Sequence, residues 1–336
     1  MRMLVFGGTM FVSKAVAAEA VRRGHDVVCA ARGTSGDVPD GATLVRIDRD
    51  TPDTLAALAA LAGERFDEVV DTSIMSYTWV VDALAALATT AAHWTFVSTI
   101  GVYADHSKPG QSPGYPVCEP RAIHATLADR DNDPGLYNAV KVASENAVRD
   151  AVDNRAFIVR PGLISGPGDR SDRFGYWPAR FSRGGRVVVP DVEQKIQYID
   201  VRDLASWLVD AVEQRIIGTF DAVGPRWELR DCLRAVADAV GEATEFVPLT
   251  AEQLAEAGVE PWMGPRTLPL WLPPEYAGMA AHDPAPAREA GLRTRPLDDA
   301  VTGALTHERA LGLDRPRKAG LTPAEEAEVL ACAENP

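Results

Sequence analysis

Apolar positions along the chain follow two alternating periods. Short apolar runs rich in β-forming residues lie at Met3 to Phe6, Asp26 to Ala31, Thr43 to Ile47, Glu68 to Thr72 and Trp94 to Ser98. They are too short for helices and read as buried strands. Between them, helical spacing recurs over Phe11 to Arg23, Leu55 to Leu61 and Val80 to Leu87, and Gly24 ends the first of these helices. Strands alternating with helices at this spacing predict an α/β protein with a doubly wound parallel sheet and helices on both faces. A sixth strand is expected at Ala156 to Val159, ending at Arg160-Pro161-Gly162.

The pattern then loosens. Residues 162–195 are rich in glycine, proline and arginine and read as loops over a ligand site. Order returns with a strand over Gln197 to Val201, a helix over Leu204 to Glu213, a strand over Thr219 to Val223 and a helix over Leu229 to Val240. Prolines and aromatics crowd Pro248 to Pro286, which suggests a small irregular unit, and helical patterns close the chain at Asp298 to His307 and Pro323 to Cys332. The expected division is residues 1–165 plus 196–224 as a dinucleotide-binding domain, with 166–195 plus 225–336 as a substrate-binding region.

Composition narrows the function classes. A chain of 336 residues with a formal charge of −14 lacks the lysine and arginine clusters that nucleic acid demands, and the same charge disfavours an anionic membrane surface. No apolar run reaches the length of a membrane span or forms a signal peptide. The four cysteines, Cys29, Cys118, Cys232 and Cys332, are far apart and read as reduced thiols, so a cytoplasmic location is expected. The six histidines show no ligand spacing, and no metal is expected. Asp129-Arg130-Asp131-Asn132-Asp133 hints at a calcium loop, but Pro134 stands where glycine is needed and Val140 where the last carboxylate belongs. The glutamate-rich segment from Thr322 to Asn335 reads as an exposed amphipathic helix.

Candidate chemistry begins with Tyr137 and Lys141 in Leu-Tyr-Asn-Ala-Val-Lys. A helix sets positions i and i+4 on one face, and a lysine beside a tyrosine stabilises the phenolate. Carbonyl reduction or alcohol oxidation needs such a proton carrier. Upstream, the turn after the first strand is Gly7-Gly8-Thr9-Met10-Phe11-Val12-Ser13. Glycines at such a turn let backbone amides at a helix N-terminus approach a pyrophosphate, yet Met10 and Ser13 stand where two further glycines would be expected. Ser13 is small enough for close helix packing and could donate to a phosphate. Arg32 at the end of the second strand favours NADP(H) over NAD(H), because arginine accommodates a 2′-phosphate whereas a carboxylate binds the free ribose hydroxyl. Asp48, closing the third strand, could bond the adenine amino group or cap the next turn.

In order along the chain, these segments resemble the extended short-chain dehydrogenase/reductase family, which includes nucleotide-sugar epimerases and dehydratases. The turn at Gly7 resembles the Gly-Gly-Thr-x-Phe variant. Val97-Ser98-Thr99-Ile100-Gly101-Val102-Tyr103 resembles the strand end that carries a catalytic hydroxyl, at Thr99, and Tyr137 and Lys141 match the catalytic pair. Arg160-Pro161-Gly162, Gly166-Pro167 and Ile199-Asp200-Val201-Arg202-Asp203 resemble later landmarks. The resemblance implies a Rossmann-like fold, with Tyr137 as general acid/base, Lys141 lowering its pKa and holding the nicotinamide ribose, and Thr99 bonding the substrate oxygen. It further implies cofactor contacts from Gly7, Gly8, Thr9, Met10, Phe11, Arg32, Asp48, Thr72, Ser98, Lys141 and Pro161.

Departures from the family guide the choice of reaction. Dehydratases carry an Asp-Glu pair where this chain has Ile100 and Gly101, and neither residue moves a proton. Ile196 stands where epimerases of nucleotide sugars place a diphosphate-clamping arginine, and Lys195 is a poorer fork. Tyr176, Trp177, Arg180 and Gln197 are the expected substrate residues, with Trp262, Trp271 and Tyr276 as further aromatic candidates. The reading is an NADP(H)-dependent oxidoreductase of a small, non-nucleotide carbonyl or alcohol, with a homodimer compatible with it. An epimerase on a sugar or sugar nucleotide is the alternative. A non-catalytic dinucleotide sensor or RNA-binding relative is the third.

Overall fold

The computed structural model describes residues 1–334. Seven parallel strands form one sheet: β1 (Arg2–Phe6), β2 (Asp26–Ala31), β3 (Thr43–Arg46), β4 (Glu68–Asp71), β5 (Trp94–Val97), β6 (Ala156–Pro161) and an edge strand at Gly218–Ala222. From one edge the order is β3, β2, β1, β4, β5, β6 and the Gly218–Ala222 strand. Winding reverses between β1 and β4, so a crevice opens beyond their carboxyl ends, where open α/β sheets bind ligands. Helices α1 (Phe11–Arg22), α2 (Thr54–Ala62) and α3 (Tyr77–Leu87) connect the first strands. The Leu136–Val152 helix carries Tyr137 and Lys141 into the same crevice.

Burial explains the composition of the strands. Every residue of β4, β5 and β6 is buried, and such strands read as continuous apolar runs because both faces are covered. Two hydrophobic clusters sandwich the sheet, one built from α1 and the Val201–Gln214 helix, the other from α2, α3 and the far end of the Leu136–Val152 helix. Among the polar exceptions, Glu68 and His93 are paired. Glu68 at the start of β4 accepts from Thr95 N at 2.8 Å and meets His93 Nδ1 at 2.5 Å, while His93 Nε2 reaches Ile216 O at 2.8 Å.

Three expectations are corrected. Residues 162–195 are not loop throughout: they contain a helix, Arg173–Phe181, and a strand, Gly185–Pro190, paired in parallel with Thr244–Leu249. Phe174, Trp177 and Phe181 form an i, i+3, i+7 stripe that Pro178 and the surrounding glycines obscure. The helix after Ile199–Asp200 begins at Val201, not Leu204, because the Asp200 side chain accepts the Arg202 N–H as an N-cap. The Pro323–Glu334 helix is also less exposed than its sequence suggests, since Glu326 and Val329 are buried. The calcium-like segment forms a helix, Leu127–Asn132, capped reciprocally by Thr126 and Asp129. The Asp131 side chain and Asn335 lie outside the described residues. Among the described residues no cluster suits a metal ion, and no helix is long and apolar enough to cross a membrane.

Candidate active site

The crevice starts at the turn between β1 and α1. Gly7 and Gly8 adopt φ of 118° and 95°, a region that disfavours side chains. A Cβ on Gly8 would stand 2.4 Å from Cys29 Sγ, and one on Gly7 would meet Ser13 Cβ at 2.8 Å, so the turn lies flush against α1 and β2. Thr9 and Met10 complete the turn, Phe11 begins the helix at φ 38°, and no side chain caps its N-terminus. Its first amides therefore face the crevice unclaimed by a cap. Ser13 Oγ donates to Met10 O at 2.9 Å, which commits that hydroxyl to the helix and not to a phosphate. Met10 is 37% exposed, and its sulfur lies 3.9 Å from Arg170 Nη1.

At the crevice's outer end Arg32 is exposed just beyond β2, and Arg46 at the end of β3 donates to the Arg32 carbonyl at 3.1 Å. The Arg46 guanidinium thus lies against the Arg32 backbone at the outer end of the crevice. The Asp48 carboxylate accepts the Asp50 N–H at 3.1 Å, the turn-capping alternative. Thr72 Oγ1 donates to Phe6 O at 2.8 Å, tying the β4 end to the glycine turn. Ser98 is buried at the β5 end, with its N–H donating to Val159 O, and Pro161 closes β6.

Thr99, Tyr137 and Lys141 gather beyond β5. Thr99 Oγ1 accepts the Gly101 N–H at 3.1 Å, which leaves the hydroxyl proton for the Tyr137 phenol within hydrogen-bonding reach. The Tyr137 helix lies so close to this turn that a Cβ on Gly101 would meet Asn138 Oδ1 at 2.4 Å. Gly101 itself offers no carboxylate, and the Asn138 side chain occupies the space beside it. Lys141 is buried and donates to the carbonyls of Ser73 (2.5 Å) and Val97 (2.6 Å), with Nζ 4.7 Å from the Phe96 ring centroid and 5.9 Å from that of Tyr137. Burial pushes the Lys141 ammonium down to about 8, against the pull of Asp71 and Glu145.

The lowering of the Tyr137 pKa expected from Lys141 does not arise in this arrangement. The ammonium is directed at two backbone carbonyls, and burial pushes the phenol above its ordinary value, opposed by the Thr99 hydrogen bond and the charges of Arg130 and Arg173. At neutral pH Tyr137 therefore holds its proton.

A buried network anchors the Tyr137 helix from below. Arg160 donates to Glu145 at 2.9 and 2.7 Å and to Tyr103 Oη at 3.0 Å; Tyr103 donates to Asp221, which also meets His282 Nδ1 at 2.8 Å. Burial works against the Glu145 carboxylate, but the bonds and charge of Arg160 prevail and hold its pKa below the usual range. None of these five residues carries a local signal of its role beyond Arg160-Pro161-Gly162.

The expected substrate residues need correction. Tyr176 and Trp177 are 2% and 0% exposed and belong to the aromatic core under the Arg173–Phe181 helix, with Trp177 Nε1 donating to Pro269 O at 2.8 Å. Arg180 is buried too: it pairs with Glu326 and donates to the carbonyls of Gly184 (3.0 Å) and Arg186 (2.5 Å), which spends its donors on the fold. Gln197 donates to Gly224 O at 2.9 Å and His282 O at 3.1 Å. Trp271 is core, Tyr276 is 40% exposed, and Lys195 pairs with Glu228, away from any clamp. What the sequence reading missed is Arg173, the first residue of the same helix, whose charge acts on Tyr137. Its only signal was the excess of arginine in residues 162–195.

Comparison with known proteins agrees with this architecture. A ceramide reductase from Caulobacter vibrioides is 29% identical over 143 residues, covering 41% of this chain and 44% of that protein, so the match spans less than half of the relative's length. The epimerase family protein SDR39U1 from Bos taurus is 25% identical, with 74% of this chain and 83% of that protein covered. The Bordetella bronchiseptica enzyme WbmH, solved in complex with NAD+, shares the fold at a TM-score of 0.64 and 17% identity, covering 93% of this chain and 99% of the other. The model of the NAD dependent epimerase/dehydratase family matches residues 3–219, from β1 into the Gly218–Ala222 edge strand, and the chain belongs to that family.

Proposed function

We propose that the protein is an NADP(H)-dependent oxidoreductase that reduces a carbonyl of a small, non-nucleotide metabolite. One observation carries this reading: the Thr99 hydroxyl lies within hydrogen-bonding reach of a protonated Tyr137 phenol, at the carboxyl end of β5, with Lys141 buried beside them. The surroundings fit the cofactor. Gly7 and Gly8 form a turn packed flush against α1 and β2, the α1 amides would hold its pyrophosphate, Arg32 and Arg46 its 2′-phosphate, and Lys141 its nicotinamide ribose. Bound NADPH would supply the hydride.

The chain's own residues handle the proton and the charge. Thr99 and Tyr137 converge on one oxygen; both stabilise the negative charge that develops there, and Tyr137 releases its proton to it. A phenol that holds its proton at neutral pH is available to donate it during reduction. Gly101 and Ile100 offer no carboxylate for water elimination. The epimerase reading draws on the family's name and on NAD+ in a structural neighbour. Retention of a nicotinamide cofactor through purification would favour it.

The test is a screen of ketones and aldehydes with NADPH and NADH. NADPH oxidation by at least one neutral or acidic ketone, lost in Tyr137→Phe, supports the reading. Unchanged turnover in that variant would refute the assigned acid.

A further inference from the structure

Arg173 is anomalous among the interior arginines. It is half-buried, its Nε is shielded from solvent without a hydrogen-bond partner, and its guanidinium forms no ion pair among the described residues. The carboxylate that acts on its charge, Asp169, is occupied by Ser171 N at 2.8 Å and Ser171 Oγ at 3.0 Å. The guanidinium instead lies over the Trp262 ring, 4.6 Å from its centroid. Trp262 holds φ at 72°, a conformation costly for a bulky residue and found where surrounding structure enforces it for a purpose. A half-buried arginine whose Nε is shielded and unpartnered is under-satisfied, and a stacked, planar fork is the geometry that captures carboxylate or phosphate.

The location is the crevice already described. The segment leading to Arg173 crosses the glycine turn, since a Cβ on Gly168 would stand 3.4 Å from the Phe11 ring. The short strand Ile164–Ser165 that continues from β6 pairs with Ile199–Asp200 and brings the helix N-terminus to the crevice rim. The charge of Arg173 acts on Tyr137.

We infer that Arg173, stacked on Trp262, seats an oxyanion group, carboxylate or phosphate, of the substrate, so that the metabolite reduced at Tyr137 is an acidic one. This rests on the proposed reaction for its catalytic half, whereas the anion seat stands on Arg173 and Trp262 alone. An anion there satisfies the unpartnered guanidinium and fixes the reacting carbonyl relative to Thr99 and Tyr137. It also explains why a chain of charge −14 keeps an unpaired cation beside its catalytic tyrosine.

The test titrates the protein with sodium benzoate and, separately, inorganic phosphate. NADP is kept saturating so that the cofactor's own phosphate sites are filled, and binding is read by calorimetry. Wild type should bind at least one of the two anions, and the arm that responds identifies carboxylate or phosphate as the source. Arg173→Met should weaken that binding about 10- to 100-fold, the loss expected for one charge-assisted pair, with NADPH affinity unchanged. Arg173→Lys, which keeps the charge but not the fork, should fall between the two, and Trp262→Leu should weaken binding while Arg173 remains. Absence of anion binding in wild type, or binding undiminished in Arg173→Met, would overturn the inference. A separate NADPH and NADH titration of wild type keeps the reductase reading independent: failure to bind either cofactor sinks that reading, while the same anion titration without NADP still decides the role of Arg173.

Discussion

The two ends of the Arg173–Phe181 helix solve the same problem in opposite ways. Arg180 is buried and gives its donors to Glu326 and two carbonyls, whereas the half-buried Arg173 has an aromatic face and, among the described residues, no ion pair. Saturated hydrogen bonding marks a group that holds the fold together. Unsatisfied bonding at a crevice rim marks one that waits for a ligand. The same contrast holds across the sheet: at the amino end His93 and Glu68 satisfy each other, while at the carboxyl end the glycine turn leaves amides uncapped.

The largest expected effect tests whether the Arg173 end faces chemistry at all. Tyr137→Phe should lower turnover by about 10²- to 10⁴-fold with cofactor affinity retained, the range for losing a general acid, as steady-state kinetics would measure. Next, Arg180→Met should cost about 3–5 kcal/mol in a urea melt, because it strands the buried Glu326 carboxylate. Arg180→Met combined with Glu326→Met should recover most of that loss. Arg173→Met should leave the urea midpoint nearly unmoved, and an equal loss from both arginines would erase the distinction between them.

Lys141 gives a smaller, pH-dependent effect. Folded, its ammonium surrenders the proton near pH 8; unfolded, it keeps the proton to about 10.5. Between these values the unfolded chain binds more protons, so stability of the cofactor-free protein rises with pH. From pH 8 to 9.5 the gain attributable to Lys141 should be roughly 1–2 kcal/mol, and Lys141→Met should abolish it; an identical pH slope in that variant would contradict the assignment. Smallest is the cofactor preference: Arg32→Ser should narrow the affinity gap between NADPH and NADH by about 10-fold, as fluorescence titration would read.

Much of this architecture is legible in the sequence because it is written locally. Strands β1, β2 and β5 are short, largely apolar β-forming runs, and the i, i+4 spacing of Tyr137 and Lys141 needs only helix geometry. The Arg173–Phe181 helix was hidden because Pro178 and flanking glycines imitate a loop, and its aromatic stripe makes sense only against the distant Pro269 and Glu326. The Thr244–Leu249 strand was hidden likewise, since its partner lies some sixty residues upstream and Pro248 disguises it. Choosing Arg180 as the substrate contact had the same cause. Two arginines on one helix look alike until the fold shows which one has partners. Lys141 was recognisable, but its engagement with Ser73 and Val97 depends on chain segments 68 and 44 residues away.

The central claim is that the crevice over β1, β4 and β5 binds NADP(H) for reduction by Tyr137. Calorimetric titration of the purified protein with NADPH and with NADH tests it most directly. The account predicts one-site binding of NADPH at least about 10-fold tighter than NADH. Failure of both nucleotides to bind would contradict it.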